Sequence, residues 1–242
     1  MKISVIPTAQ QAQDIDFSGK IAVVIDVLRA TSVIITALDN GAREVVPVKT
    51  VEEAEKLFAA SDVTKTLRGG ERHALKIEGF DLSNSPSEYK KKVVEGKTVI
   101  LTTTNGTNAI NNVKGADEVV LACFRNAAAV TKHLLERLPQ CVSRDIAIVC
   151  AGTEGLFSLD DGLCAGMLIE LLKQQTPVEI DDLGLLLNHY YIENQSNLLG
   201  ALSGCHHVKR LFTLGLYDDI KFCLETNRVE MVPVVRNGIV KA

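Results

Sequence analysis

Short runs of Val, Ile and Ala alternate along the chain with longer stretches whose apolar residues recur every three or four positions. Residues 21–27 (IAVVIDV), 44–48, 98–102, 118–122, 146–150 and 229–235 are apolar runs bounded by polar residues, the pattern of strands buried on both faces. Residues 31–40, 51–60, 107–113, 127–138, 161–173 and 181–195 carry the helical spacing. Strand and helix in turn predict an α/β fold: a mostly parallel or mixed sheet with helices on both faces. Near the end of the chain, VEMVPVVRNGIV sets Asn237-Gly238 between apolar runs and predicts a hairpin.

Two of these units resemble each other. Residues 19–48 and 96–122 both begin Gly-Lys, run through a strand, a polar loop and a helix, and reach Gly-Ala-x-Glu-Val-Val. A third strand, loop and helix starts at Arg144 and lacks that ending. Duplication into two similar lobes, about 1–92 and 93–242, within one catalytic unit spanning 1–242, and chance similarity between strand-helix units both account for the match.

The composition is that of an ordinary globular protein: 242 residues, 46% hydrophobic, 23% charged and 5% aromatic. Such a chain buries roughly 70–75% of its unfolded surface and needs no disulfide staples. The formal charge of −4 and the lack of Trp argue against nucleic acid as a partner. Six scattered cysteines (Cys123, Cys141, Cys150, Cys164, Cys205 and Cys223) show no paired zinc spacing and read as buried thiols of a reducing compartment. The first residues lack a signal-peptide core, and no run approaches the roughly 18 apolar residues of a membrane helix. A cytoplasmic protein with no membrane partner is expected. The apolar stretch 183–187 is explained equally by core burial and by a homodimer face.

Loops leaving the carboxyl ends of parallel strands gather on one sheet edge, the usual ligand site. Here they read DVLRATS (26–32), TTTNGTN (102–108) and AGTEGLFSLDD (151–161). Asp26 and Arg29 combine a metal-type oxygen ligand with a guanidinium suited to phosphate or sulfonate, unless Asp26 shapes the loop and Thr31 caps the helix. Thr103, Thr104, Asn105 and Gly106 form either an oxyanion cradle or a Thr-rich turn. Residues 65–76 hold four bases against one acid around Gly69-Gly70, a basic anion pocket or a solvated face. Glu154, Asp160 and Asp161 are hard ligands of the kind Mg²⁺ takes, though helix capping would use two of them. The stretch 66–89 interrupts the strand-helix alternation with turn formers.

Several signatures fail. Lys91 occupies the first Gly position of the phosphate loop that Gly96-Lys97-Thr98 would end, and neither GxGxxG nor GxSxG occurs. Cys205 to Arg210 falls one residue short of a Cys-x5-Arg phosphatase loop. With no further ligand nearby, Cys205-His206-His207 reads as structural or surface.

Together, DVLRATS, GGER followed by GFDLSNSP, TTTNGT, Ala-Cys-Phe-Arg-Asn at 122–126 and CAGTEG with its downstream Asp-Asp-Gly resemble the Mg²⁺-dependent 2-phosphosulfolactate phosphatases. The order of these motifs matches too, and beyond about residue 165 nothing is diagnostic. The resemblance implies hydrolysis of (2R)-2-phospho-3-sulfolactate to 3-sulfolactate and phosphate, a step toward coenzyme M, on an α/β fold unlike the common phosphatase folds. It implies Asp26, Arg29 and Glu71 as catalytic residues and Asp26, Glu71 and one of Glu154, Asp160 or Asp161 as Mg²⁺ ligands. Arg72, Arg125, Thr103, Thr104, Asn105 and Gly106 would bind substrate, with Asn84 and Ser85 completing the pocket. Direct water attack is preferred to a covalent intermediate on Asp26. The alternatives are another small phospho-2-hydroxy acid as substrate and a non-catalytic anion-binding protein.

Overall fold

A computed structural model describes residues 1–113, 115–140 and 145–242; Cys141 and Arg144 lie outside the described residues. The strands are β1 (Lys2–Ile6), β2 (Lys20–Ile25), β3 (Glu44–Val48), β4 (Thr66–Arg72), β5 (Leu75–Lys76), β6 (Thr98–Thr102), β7 (Glu118–Ala122), β8 (Asp145–Cys150), β9 (Glu179–Ile180), β10 (Val234–Arg236) and β11 (Ile239–Lys241). The helices are α1 (Ala30–Asp39), α2 (Val51–Ala59), α3 (Lys91–Val94), α4 (Gly106–Asn112), α5 (Ala127–Arg137), α6 (Leu159–Lys173), α7 (Asp182–Asn194), α8 (Leu198–Ala201), α9 (His206–Thr213) and α10 (Tyr217–Cys223).

These strands form one mixed sheet in the order β5-β4-β6-β3-β11-β10-β7-β2-β8-β1-β9. On one side β4, β6 and β3 are parallel neighbours, and on the other β7, β2, β8, β1 and β9 are. The β10–β11 hairpin joins the two sides, antiparallel to β7 and to β3. Its turn is Asn237-Gly238, both at positive φ, as the Asn-Gly pair predicts. The two similar stretches interleave in this sheet: β2 of the first pairs with β7 of the second, and β3 of the first with β6 of the second.

Both faces of the sheet are covered because successive side chains of a strand point to opposite sides. Ile21, Val23 and Ile25 of β2 join Val130 and Leu134 of α5 and Leu168 of α6 in one core. Ala22 and Val24 join Val33 and Ile34 of α1 and Ile110 of α4 in the other. That double burial is why the inner strands read as unbroken apolar runs.

Several elements depart from the sequence pattern, three of them in the sheet near the site or its hairpin. The run 229–235 becomes strand only from Val234, because Val229 turns into a cluster with Ile35 and Cys123 and Pro233 has no N–H to offer a ladder. β1, KISVI, is a strand outside the apolar runs named above. So is β4, which runs through Gly69-Gly70; a Cβ on Gly69 would lie 2.2 Å from the Tyr89 hydroxyl and one on Gly70 2.0 Å from the Thr102 carbonyl oxygen. The glycine pair lets β4 lie close to its neighbours and needs no ligand to explain it. Leu187 of α7 is buried, whereas Leu185 and Leu186 are exposed.

Among the described residues no helix is long and apolar enough to cross a membrane. Cys123, Cys150, Cys164 and Cys223 are buried free thiols, and Cys205 is half-buried. Burial raises the pKa of each of those four buried thiols.

Candidate active site

A cavity of about 230 Å³ opens at the carboxyl ends of β2, β4, β6 and β8. That volume falls just below the range of ligand pockets, which begins at about 300 Å³, and suits a small molecule. Asp26, Arg29, Glu71, Asn84, Thr103, Thr104, Asn105 and Glu154 line it, so the sheet edge does gather residues from all the strand-end loops.

Asp26 follows β2 directly. Its Oδ1 accepts the Ala30 N–H at 3.1 Å at the start of α1, and Oδ2 accepts no hydrogen bond from the described residues. A Cβ on Gly106 would come within 2.6 Å of that Oδ2 and 2.4 Å of the Ala30 Cβ, so only glycine lets α4 approach the carboxylate this closely. Burial, reinforced by the charges of Asp160 and Glu71, pushes the Asp26 carboxyl up to about 7 against the pull of the Ala30 N–H and Arg29.

The neighbouring carboxylates hold loops together. Glu71 Oε1 accepts the Thr104 N–H and hydroxyl, both at 2.8 Å, and Oε2 accepts the Ala74 N–H at 2.7 Å. Asp161 Oδ1 accepts the Val27 N–H at 2.8 Å and Oδ2 the Gly152 N–H at 3.0 Å, tying the loop after β2 to the loop after β8. Burial and the charges of Asp160 and Asp26 raise the Asp161 carboxyl, while those two N–H groups act to lower it. Asp160 accepts from the Ser158 hydroxyl, and its Oδ2 lies 3.9 Å from His207 Nδ1. Glu154, at positive φ on the rim, pairs with Arg210 at 2.7 Å, and that partner holds its carboxyl below the usual range.

Arg29 is buried, 3% exposed, and donates to Asp219 at 2.5 Å and to the Ala74 carbonyl at 2.9 Å. Asp219 in turn accepts the Ser85 hydroxyl at 2.6 Å, so Ser85 acts through this pair rather than at the cavity wall. His73 and Ala74 form the two-residue turn between β4 and β5 with φ of 56° and 68°. Such a turn ordinarily takes Asn-Gly, and each strained residue costs on the order of 1 kcal/mol. The bonds from Glu71 and Arg29 to Ala74 hold it in place at the cavity lip. Asn84 Oδ1 is buried in the cavity lining with no hydrogen-bond partner among the described residues, and the amide is thereby open to a bound group.

Two arginines stand apart from the cavity. Arg72 donates to the Glu71 and Lys49 carbonyls and to the Thr102 hydroxyl, because it faces the flank of β4. Arg68 on the same strand pairs with Glu55 and Asp81. The basic segment 65–76 therefore does not charge the cavity. Arg125 stacks 3.8 Å over the Phe222 ring and pairs with Glu225, fastening the chain that follows α10.

Another wall of the cavity comes from the last third of the chain. His207, Arg210 and Leu211 of α9 line it, and Asp219 of α10 anchors Arg29. The stretch Cys205-His206-His207 is thus no mere surface feature. His207 and Arg210 lie three apart on one face of a short amphipathic helix, and that spacing was the available signal.

Among the described residues no three His, Cys, Asp or Glu side chains form a ready metal cage. Mg²⁺ does not require one, since it takes one or two carboxylates with water and substrate phosphate. Asp26 fits that need: it is buried, repelled by its acidic neighbours, and has an oxygen free toward the cavity.

A family model described as 2-phosphosulpholactate phosphatase matches residues 6–238. The probable 2-phosphosulfolactate phosphatase of Caldanaerobacter subterraneus subsp. tengcongensis is 47% identical over 241 residues, covering 100% of this chain and 98% of that protein. A protein of the same name from Clostridium perfringens (strain SM101 / Type A) is 45% identical over 243 residues, covering 100% and 96%. One from Clostridium tetani is 41% identical over 242 residues, covering 100% of both chains.

Proposed function

Given that the chain belongs to the 2-phosphosulpholactate phosphatase family, we propose that it hydrolyses (2R)-2-phospho-3-sulfolactate to 3-sulfolactate and phosphate with Mg²⁺, in the cytoplasm. The observation that carries this reading is one small cavity holding the buried Asp26 carboxylate beside Arg29, Arg210 and the unpartnered Asn84 amide. A substrate bearing phosphate, carboxylate and sulfonate needs several cationic and N–H donors around a small volume. Arg29 and Arg210 supply them, one from the loop after β2 and one from α9.

Asp26 is the carboxylate that holds Mg²⁺, which neutralises charge on the phosphoryl oxygens when bound. Arg29, locked by Asp219, orients the phosphoryl group through its remaining N–H donors. Arg210 exchanges its rim partner Glu154 for an anionic group of the substrate. Glu71 and Asp161 keep the loops registered around the reacting centre, and water attacks phosphorus directly.

Phosphate release measured across a panel of phospho-2-hydroxy acids is expected to be fastest with phosphosulfolactate, to vanish in EDTA and to return with Mg²⁺. No release from any of them with Mg²⁺ present, and no effect of EDTA, would sink the reading. Phosphate binding without turnover would mark an anion-binding protein instead.

A further inference from the structure

We propose that His207 is the base of the reaction, taking the proton of the attacking water at Nε2, with Thr153, Ser158 and Asp160 as positioning residues that keep the proton on Nδ1. The inference rests on the hydrolase reading above and is carried by the direction of a hydrogen-bond chain.

Asp160 Oδ1 accepts the Ser158 hydroxyl and, at 4.0 Å, the Cys205 thiol. The Ser158 proton is thereby committed, and its oxygen accepts from Thr153 Oγ1 at 3.3 Å. With its own proton used there, Thr153 Oγ1 accepts from His207 Nδ1 at 3.1 Å. A hydroxyl carries one proton; with that of Thr153 directed at Ser158 and the Asp160 Oδ2 3.9 Å from Nδ1 favouring a proton there, the chain runs from His207 through Thr153 and Ser158 to Asp160. Nδ1 then holds the ring proton and Nε2 is left as the acceptor. Nε2 has no hydrogen-bond partner among the described residues, and the ring lines the same cavity as Asp26 and Arg29.

In the step itself the water oxygen bonds to phosphorus as its proton passes to Nε2. The bond from phosphorus to the ester oxygen breaks, and that oxygen keeps the electron pair and takes a proton from solvent water.

Nitrogen-15 shifts of His207 in the resting protein at neutral pH are expected to show Nδ1 protonated; an Nε2-protonated ring would overturn the chain. His207→Gln is expected to lower kcat about 100- to 1,000-fold with KM within about threefold. A raised KM at unchanged kcat would make the ring a substrate contact and overturn the proposal. Ser158→Ala should lower kcat about tenfold and admit the Nε2–H tautomer, and Ser158→Thr should restore both. If Ser158→Ala leaves tautomer and kcat alone, the positioning role is lost. The tautomer is read without substrate, so its failure is distinct from failure of the wild type to release phosphate.

Discussion

Asp26→Asn is expected to cut phosphate release about 1,000-fold or more while making the metal-free protein more stable, by about 2–4 kcal/mol around pH 8. The loss of turnover follows from removing the buried cavity carboxylate that keeps an oxygen open to a cation. The gain in stability follows from the sign of its shift. Its folded pKa of about 7 lies above the value of roughly 3.9 that an unfolded chain shows. Between those values the folded protein keeps a proton that the unfolded chain releases, so stability falls as pH rises through that window and stays low above it. Asparagine still accepts the Ala30 N–H but never becomes a buried charge facing Asp160 and Glu71. The variant's advantage should therefore shrink toward zero near pH 4. Urea unfolding in EDTA at the two ends of this range measures it, and a variant less stable than wild type near pH 8 would contradict the argument.

Asp219→Asn is expected to destabilise the protein by about 3–5 kcal/mol and to abolish most activity. Arg29 and Asp219 have side chains only 3% and 7% exposed, so the guanidinium would lose its counter-charge where water cannot replace it. Its grip on the Ala74 carbonyl, and with it the strained His73-Ala74 turn, would loosen. Ser85→Ala removes one neutral donor from the same carboxylate and should cost only about 1 kcal/mol. Replacing both charges, as Arg29→Met with Asp219→Leu, should recover much of the stability and none of the activity, since apolar substitutes for a buried pair are well tolerated. Chemical denaturation of the three variants separates these outcomes. An Asp219→Asn protein within about 0.5 kcal/mol of wild type would show the pair to be dispensable.

How far each feature could be read from the chain depended on how local its cause was. The inner strands β2, β3, β6, β7 and β8 were legible because burial on both faces writes a continuous apolar run. Asp26, Thr103, Thr104, Asn105 and Asn84 were legible as site candidates, the first four from their places on loops just past strand ends and all of them from motif resemblance. β4 was not, since a strand that lies against Tyr89 and Thr102 uses glycines, which signal a turn. Arg72 and Arg125 carried the right charge in the right motifs, yet strand orientation turned one to the flank of β4 and the chain after α10 captured the other.

The sequence alone determined the α/β architecture, the Asn237-Gly238 hairpin and the loops that reach the sheet edge, because propensity, periodicity and turn chemistry act between residues near one another in the chain; its short motifs, by resemblance, pointed to the family. Only the tertiary structure decided which groups are electrically active there. It set α9 and α10 over the edge, bringing His207, Arg210 and Asp219 to residues far away in sequence. It also buried Asp26 among other carboxylates and occupied both oxygens of Glu71 and Asp161 with donors from neighbouring loops. Charge, hydrogen-bond direction and pKa depend on what surrounds a group in space, and that is fixed only when distant segments meet.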